Sequence, residues 1–132
     1  MQSISVKTRK RNELVDITSE ISRIVDQQDV VEGVVVVYVP HTTAGVTINE
    51  NADPSVCHDI LLTLEELIPE RRRGYQHSEG NSDAHVKASL MGSSVQVIID
   101  RGRMNLGTWQ GIYFCEFDGP RNRSCLVKVI KV

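Results

Sequence analysis

The sequence predicts an α+β fold: one domain spanning residues 1–132, with a largely antiparallel β-sheet and about three helices. Three observations carry the prediction. Strand-like and helix-like segments are mixed without the regular βαβ alternation that builds a parallel sheet. The 132 residues suffice for one core and leave no room for two. Apolar residues at 40% and charged residues at 24% match ordinary globular domains rather than disordered, collagen-like or coiled-coil chains.

Taken in order, Ser3 to Thr8 alternates apolar and polar residues as a half-buried strand does. Glu13 to Thr18 repeats the pattern after Arg9-Lys10-Arg11-Asn12, so the two are expected to form an opening hairpin. Thr18 or Ser19 is placed to cap a helix with the stripe Ile17, Ile21, Ile24 and Val25, ending near Asp29. Gly33 then leads into Val34 to Val39, a β-branched run that suits a central strand covered on both faces and stopped by Pro40. Gly45 to Glu50 alternates again, with Val46 and Ile48 on one side.

Asp53-Pro54 opens a second helix, because Asp accepts free backbone N–H groups and Pro at the first position has none to leave unpaired. Its apolar face is Val56, Ile60, Leu61, Leu64, Leu67 and Ile68, ending at Pro69. Glu70 to Gly80 reads as a loop, and Asn81 or Ser82 caps a third helix running through Met91 to Gly92. Strands follow at Val95 to Asp100, Thr108 to Phe117 and Ser124 to Val132, with turns at Arg101-Gly102 and Asp118-Gly119-Pro120.

Several function classes fall away on charge and hydropathy. Fifteen Lys and Arg against 17 Asp and Glu leave a net charge of -2, so no overall positive field gathers nucleic acid or anionic membrane. The longest apolar run, Val34 to Val39, is far short of the roughly 20 residues of a membrane-spanning helix. The basic N-terminal stretch is not followed by an apolar segment of signal-peptide length, and Cys57, Cys115 and Cys125 are an odd set without CxxC spacing. A cytoplasmic location with reduced thiols is the expectation.

Four segments carry chemistry. His41-Thr42-Thr43 stands where a buried strand ends, and such loops present functional groups on a rigid base. His41 suits a metal ligand or a general acid/base, and Thr42 and Thr43 suit phosphate binding; the plainer reading is a turn whose threonines satisfy their own backbone. Asn49, Glu50, Asn51 and Asp53 bring two carboxylates together for acid–base work or a hard cation such as Mg²⁺. Asp53 has a competing task as a helix cap, and Glu50 has none.

The third segment holds His77 and His85, which with His41 make three imidazoles from separate segments, the ligand number of a catalytic zinc site with one open position. The alternative is a solvated loop residue and a first-turn helix residue. His58, mid-helix, reads as an ordinary exposed side chain. In the fourth, Trp109 to Phe117 contains four of the six aromatics, which suits stacking on a heterocycle or a strand core. Glu116 and Asp118 follow on one side of that strand, and Arg121 is able to fork onto a carboxylate or phosphate. Arg71-Arg72-Arg73, beside Glu65, Glu66 and Glu70, reads as a charge-balanced surface.

Together, His41 to Gly45, Ile48-Asn49-Glu50, Asp53-Pro54, His77, Asn81 to His85, Gly107-Thr108-Trp109-Gln110 and Glu116 to Arg121 resemble the YjbQ family. They occur in family order over nearly the whole chain. Members are described as small cytoplasmic secondary thiamine-phosphate synthases. The resemblance implies an α+β homotrimer with clustered histidines and often a bound metal. It also implies a weak side activity that joins a pyrimidine pyrophosphate to a thiazole phosphate. On that reading His41, Glu50 and His85 are catalytic, and His41, His77 and His85 hold a divalent ion, zinc or magnesium. Thr42, Thr43, Asn49, Trp109, Glu116 and Arg121 would bind a small phosphorylated substrate. The alternatives are a metal- or small-ligand-binding module without robust catalysis and a purely interactive trimeric scaffold, neither involving nucleic acid or membrane.

Overall fold

The structure, a computed structural model, describes residues 1–132. Eight strands and three helices follow one another as β1 (Gln2–Lys7), β2 (Glu13–Asp16), α1 (Thr18–Gln27), β3 (Gly33–Tyr38), β4 (Ala44–Glu50), α2 (Pro54–Leu67), α3 (Ser82–Met91), β5 (Ser94–Asp100), β6 (Arg103–Met104), β7 (Gln110–Glu116) and β8 (Asn122–Lys131). Every strand pairing is antiparallel. The α+β class and the three helices are therefore as the sequence predicts. No helix is long and apolar enough to cross a membrane.

The strands form two sheets, one ordered β1-β8-β3-β5-β6 and the other β2-β7-β4. Side chains of alternating sequence leave a strand on opposite faces, so each sheet presents one apolar face inward. Val35, Val37, Val97, Ile99, Cys125 and Val127 of the first sheet meet Ala44, Val46, Ile112 and Phe114 of the second, and Ile21, Ile24 and Val25 of α1 join this core. A smaller cluster lies on the other face of the second sheet, where Ala84 and Ala88 of α3 cover Cys115 and Phe117.

Four expectations are corrected here. The first two strands are not a hairpin: β1 pairs with β8 and β2 with β7, so residues 8–12 cross between sheets. Alternation fixes which face a strand buries and says nothing of its partner. The valine strand is covered on one face only, with Val35 and Val37 fully buried and Val34 and Val36 half-buried beneath no second layer. The long helix exists as expected, with Asp53 accepting from Ser55 N–H at 2.9 Å, yet none of its residues is buried. Leu61 and Leu64 touch the smaller cluster, while Leu67 at its end is 69% exposed.

At α1 the capping position falls to Ile17, without a side-chain cap, instead of Thr18 or Ser19. Asp16 serves instead, accepting from Thr18 N–H at 2.9 Å. The Thr18 hydroxyl accepts from Ile112 N–H at 2.8 Å and so pins the helix to β7. The two-residue strand β6 was absent from the sequence reading. Arg101 and Gly102 both take positive φ, 53° and 80°, and turn β5 back on itself in the two-residue loop that such backbone geometry allows.

Candidate functional site

A polar cavity lies where β3, the β7–β8 turn and the N-terminus of α3 meet. It measures about 480 Å³ and is lined by Pro40, His41, Thr42, Thr43, His77, Glu79, Asn81, His85, Asp118, Arg121 and Arg123. A second hollow of about 510 Å³ adjoins it, since His41, Thr42 and His85 line both.

His41 enters by way of the strand ladder. Tyr38 is opposite Leu126, so the register carried onward sets Pro40 opposite Ser124. Proline has no N–H to give the ladder, and pairing ends there. The His41 imidazole takes the vacated place, with Nε2 3.1 Å from both Ser124 N and Ser124 O. One nitrogen does not serve both contacts at once: it accepts from Ser124 N–H in one tautomer and donates to Ser124 O in the other. Burial first, and the Arg123 charge second, hold the His41 pKa below the usual histidine value, so the ring is neutral at pH 7.

His77 and His85 approach each other edge to face with ring centroids 5.3 Å apart. His85 is the fourth residue of α3, and His77 belongs to the loop that precedes the helix. The loop residue's Nε2 lies 3.7 Å from Glu79 Oε2. Thus the three predicted histidines, from a strand end, a loop and a helix, line one cavity.

Of the two threonines, Thr42 is exposed and Thr43 is buried in the wall, where its hydroxyl accepts from Arg123 Nη2 at 2.8 Å. Arg121 lies at the rim with its side chain 53% exposed. Its Nε donates to Asp118 O at 2.7 Å and its Nη2 to Asp118 Oδ2 at 3.0 Å, which sets the guanidinium and leaves further N–H groups free.

Glu116 does not reach the cavity. It is fully buried and accepts from Arg123 Nε at 2.9 Å, from Arg123 Nη2, from Thr8 Oγ1 at 2.8 Å and from the N–H groups of Phe117 and Asp118. Burial pushes its pKa upward, but these donors outweigh it and hold the carboxyl below its ordinary value. Asn49, Glu50 and Trp109 are not brought to the cavity within one chain either. Ala44 borders the histidine region at one end of β4, and Glu50 ends the strand about 20 Å away at roughly 3.3 Å per residue. Trp109 is beside it, its carbonyl accepting from Asn51 N–H at 2.9 Å and its side chain 63% exposed.

Sequence reasoning missed Arg123, Asn81, Asp118 and Glu79 as lining residues. Arg123 was legible: it alternates with Cys125 and Val127, which marks an inward-facing cation in need of a buried partner. The Asp83–Lys87 pair, spaced i,i+4 and almost fully buried at 3.1 Å, carried the same signal. Arg11 extends this network, reaching Asp83 at 2.8 Å, Glu70 at 2.9 Å and Asp118 at 3.4 Å. It ties the loop before β2 to the two segments that form the cavity wall.

The donor chemistry suits zinc better than magnesium, since three imidazoles line the cavity and a hard ion prefers oxygens. The geometry is less accommodating: no three His, Cys, Asp or Glu side chains converge as a metal set.

The family described as "UPF0047 protein YjbQ-like" matches residues 2–132. A UPF0047 protein of Methanocaldococcus jannaschii is 58% identical over 125 residues, covering 95% of this chain and 90% of the relative. The UPF0047 protein YugU of Bacillus subtilis is 48% identical over 130 residues, covering 98% of each. Among solved structures, a YjbQ/UPF0047 family protein of Clostridium acetobutylicum superposes with a TM-score of 0.97 at 55% identity, covering 98% of this chain and 100% of the other. A YbjQ-like protein of unknown function from Sulfolobus solfataricus gives 0.95 at 31% identity, covering 99% and 96%.

Proposed function

The chain belongs to the UPF0047 YjbQ-like family, and from that premise we propose that its cavity binds a small phosphorylated molecule and supports a weak thiamine-phosphate synthase reaction. The observation behind the reading is the meeting of His41, His77 and His85 on one polar cavity that Thr42 and Arg121 also line. The three free thiols suit a reducing cytoplasmic setting.

In that reaction the thiazole nitrogen bonds to the methylene carbon of the pyrimidine as the carbon–oxygen bond to pyrophosphate breaks. Negative charge gathers on the departing pyrophosphate, so donors fixed beforehand around it lower the barrier. The free N–H groups of Arg121 and the Thr42 hydroxyl are the donors for that charge. Neutral His41 offers a lone pair or an N–H, according to which of its tautomers meets Ser124. A zinc ion held among the imidazoles would neutralise phosphate charge, but none of these residue roles depends on one.

The test is thiamine-phosphate formation from the two precursors, with elemental analysis of the same sample. Slow turnover is expected, lost in His85→Ala and retained in His58→Ala, whose ring is solvent-exposed on α2. The close His77–His85 pair favours one further reading, a metal- or small-ligand-binding module without robust catalysis. Metal retained with no turnover selects it.

A further inference from the structure

We propose that His41 is a phosphoryl acceptor. Its Nδ1 attacks the phosphorus of a phosphate monoester held at Arg121 and Thr42, and the chain hydrolyses such esters through a phosphohistidine. The inference rests on the phosphate-binding reading of the cavity. It adds a reaction that the joining of two thiamine precursors does not contain, transfer of a phosphoryl group to the protein.

The His41 ring is anchored at one nitrogen and open at the other. Nε2 lies 3.1 Å from Ser124 O, at the ladder position where Pro40 has no N–H to offer that carbonyl. Nδ1 makes no hydrogen bond within the chain, and the fold does not enclose it: the residue is half-buried, and this nitrogen is not among its sealed, unpaired polar atoms. A neutral imidazole carries one N–H and one lone pair. When Nε2–H donates to Ser124 O, the lone pair stands on Nδ1 and the backbone holds the ring that bears it. An oriented, reachable lone pair is what a nucleophile requires.

The two adjoining hollows divide an ester between them. His41, Thr42 and His85 line both, the polar one of about 480 Å³ and its neighbour of about 510 Å³. Arg121 lines the polar one alone, so its free N–H groups and the Thr42 hydroxyl draw the phosphate to that side. Ala44, Ala88 and Gly92 line the other, where small side chains leave room for the carbon skeleton of the alcohol. The ester bond then crosses the boundary that His41 and His85 share.

The reaction balances without a further reagent. As the bond from Nδ1 to phosphorus forms, the phosphorus–oxygen ester bond breaks, and the departing alkoxide takes an N–H proton from His85. Arg121 stabilises the charge on the phosphoryl oxygens in transit, and the phosphorylated ring keeps its Nε2–H on Ser124 O. Water then attacks phosphorus and gives a proton to the His85 nitrogen just vacated. The electron pair of the phosphorus–nitrogen bond returns to Nδ1.

The test is hydrolysis of p-nitrophenyl phosphate by the full chain with a chelator present, together with calorimetric titration by inorganic phosphate. Turnover is expected, and mass spectrometry after quenching in alkali should find an acid-labile phosphoryl group on His41. His41→Ala should lose turnover, still bind inorganic phosphate, and regain part of the turnover when imidazole is added. Phosphate binding without hydrolysis overturns the phosphoryl acceptor and leaves the binding reading standing. So does hydrolysis that leaves no phosphoryl group on His41, or that continues undiminished in His41→Ala. Neither binding nor hydrolysis overturns both. Should His41→Ala fail to fold by thermal melting, the position of the phosphoryl group on the unmodified chain decides alone.

Discussion

Glu116 is fully buried and ionised at neutral pH, because Arg123, Thr8 and two backbone N–H groups hold its carboxylate. Its folded pKa lies below the unfolded value of about 4.3, so its contribution to stability is present above that value and lost as pH falls through the folded pKa. Thermal melts of the unmodified chain should therefore drop in midpoint below about pH 4.3. Glu116→Gln should cost about 3 to 5 kcal/mol at pH 7, since it leaves a buried guanidinium without its counter-charge, and should flatten the acid limb. An unchanged acid limb in the variant would assign that limb to other carboxylates. The thiols give a second residue-scale expectation. Burial pushes Cys125 up to about 11 and raises Cys115 further, with Cys57 adding to the latter. Cys57 is the only half-buried one. Iodoacetamide at pH 8 should label one cysteine in the folded chain and three after denaturation, counted by mass spectrometry. Residue chemistry was partly legible in the sequence. The histidines and Arg121 were visible as types, whereas nothing in the spacing says that Arg123 pairs with Glu116, seven residues before it, and with Thr43, eighty residues before it.

At the scale of elements, local signals located every helix: the Asp53-Pro54 start, the Gly92 stop and the apolar stripe of α1 are all properties of neighbouring residues. Pairing was not legible, because β1 and β8 meet across more than a hundred residues and nothing in either strand names the other. The contact of β4 with α3 is another long-range choice, and it sets the cavity wall. Val46 N–H donates to Gly92 O at 3.1 Å, and a Cβ at Gly45 would stand 2.6 Å from that same oxygen. Gly45 is thus required for close approach rather than for an unusual φ. Gly45→Ala should push the end of α3 off β4, destabilise the chain by about 1 to 3 kcal/mol and weaken ligand binding at His85. Denaturant melts and a phosphate-ester titration check the two effects separately. Loss of stability with unchanged affinity would show that the helix N-terminus stays in place while its other end moves.

Across the whole molecule, two apolar faces have nothing over them. On the outer side of the five-stranded sheet, Val34 stands between Ile98 and Ile130 while Tyr38 pairs with Leu126, and Ile98, Ile130 and Tyr38 are 63%, 47% and 45% exposed. The second face is α2, with Leu62 and Leu67 in the open. Contiguous bare apolar surface of this kind marks association, so the homotrimer expected of the family has surface available to it. Light scattering at micromolar concentration should return three times the 14.8 kDa chain, and a monomer mass would refute the expectation. Ile98→Glu tests which face is used, since a charge placed at the centre of a sheet interface should release monomers and one outside it should not. Assembly also bears on the residues the single chain keeps apart. Glu50 lies about 20 Å along β4 from the cavity end, with Asn49 before it and Trp109 bonded to Asn51 just after it, so in one subunit they do not touch a ligand there. Trp109→Ala should then leave ester binding unchanged if each cavity is complete within its own chain. A clear loss of affinity, with the fold intact and the loss disappearing in parallel with the assembly, would mean that a neighbouring subunit supplies the aromatic wall.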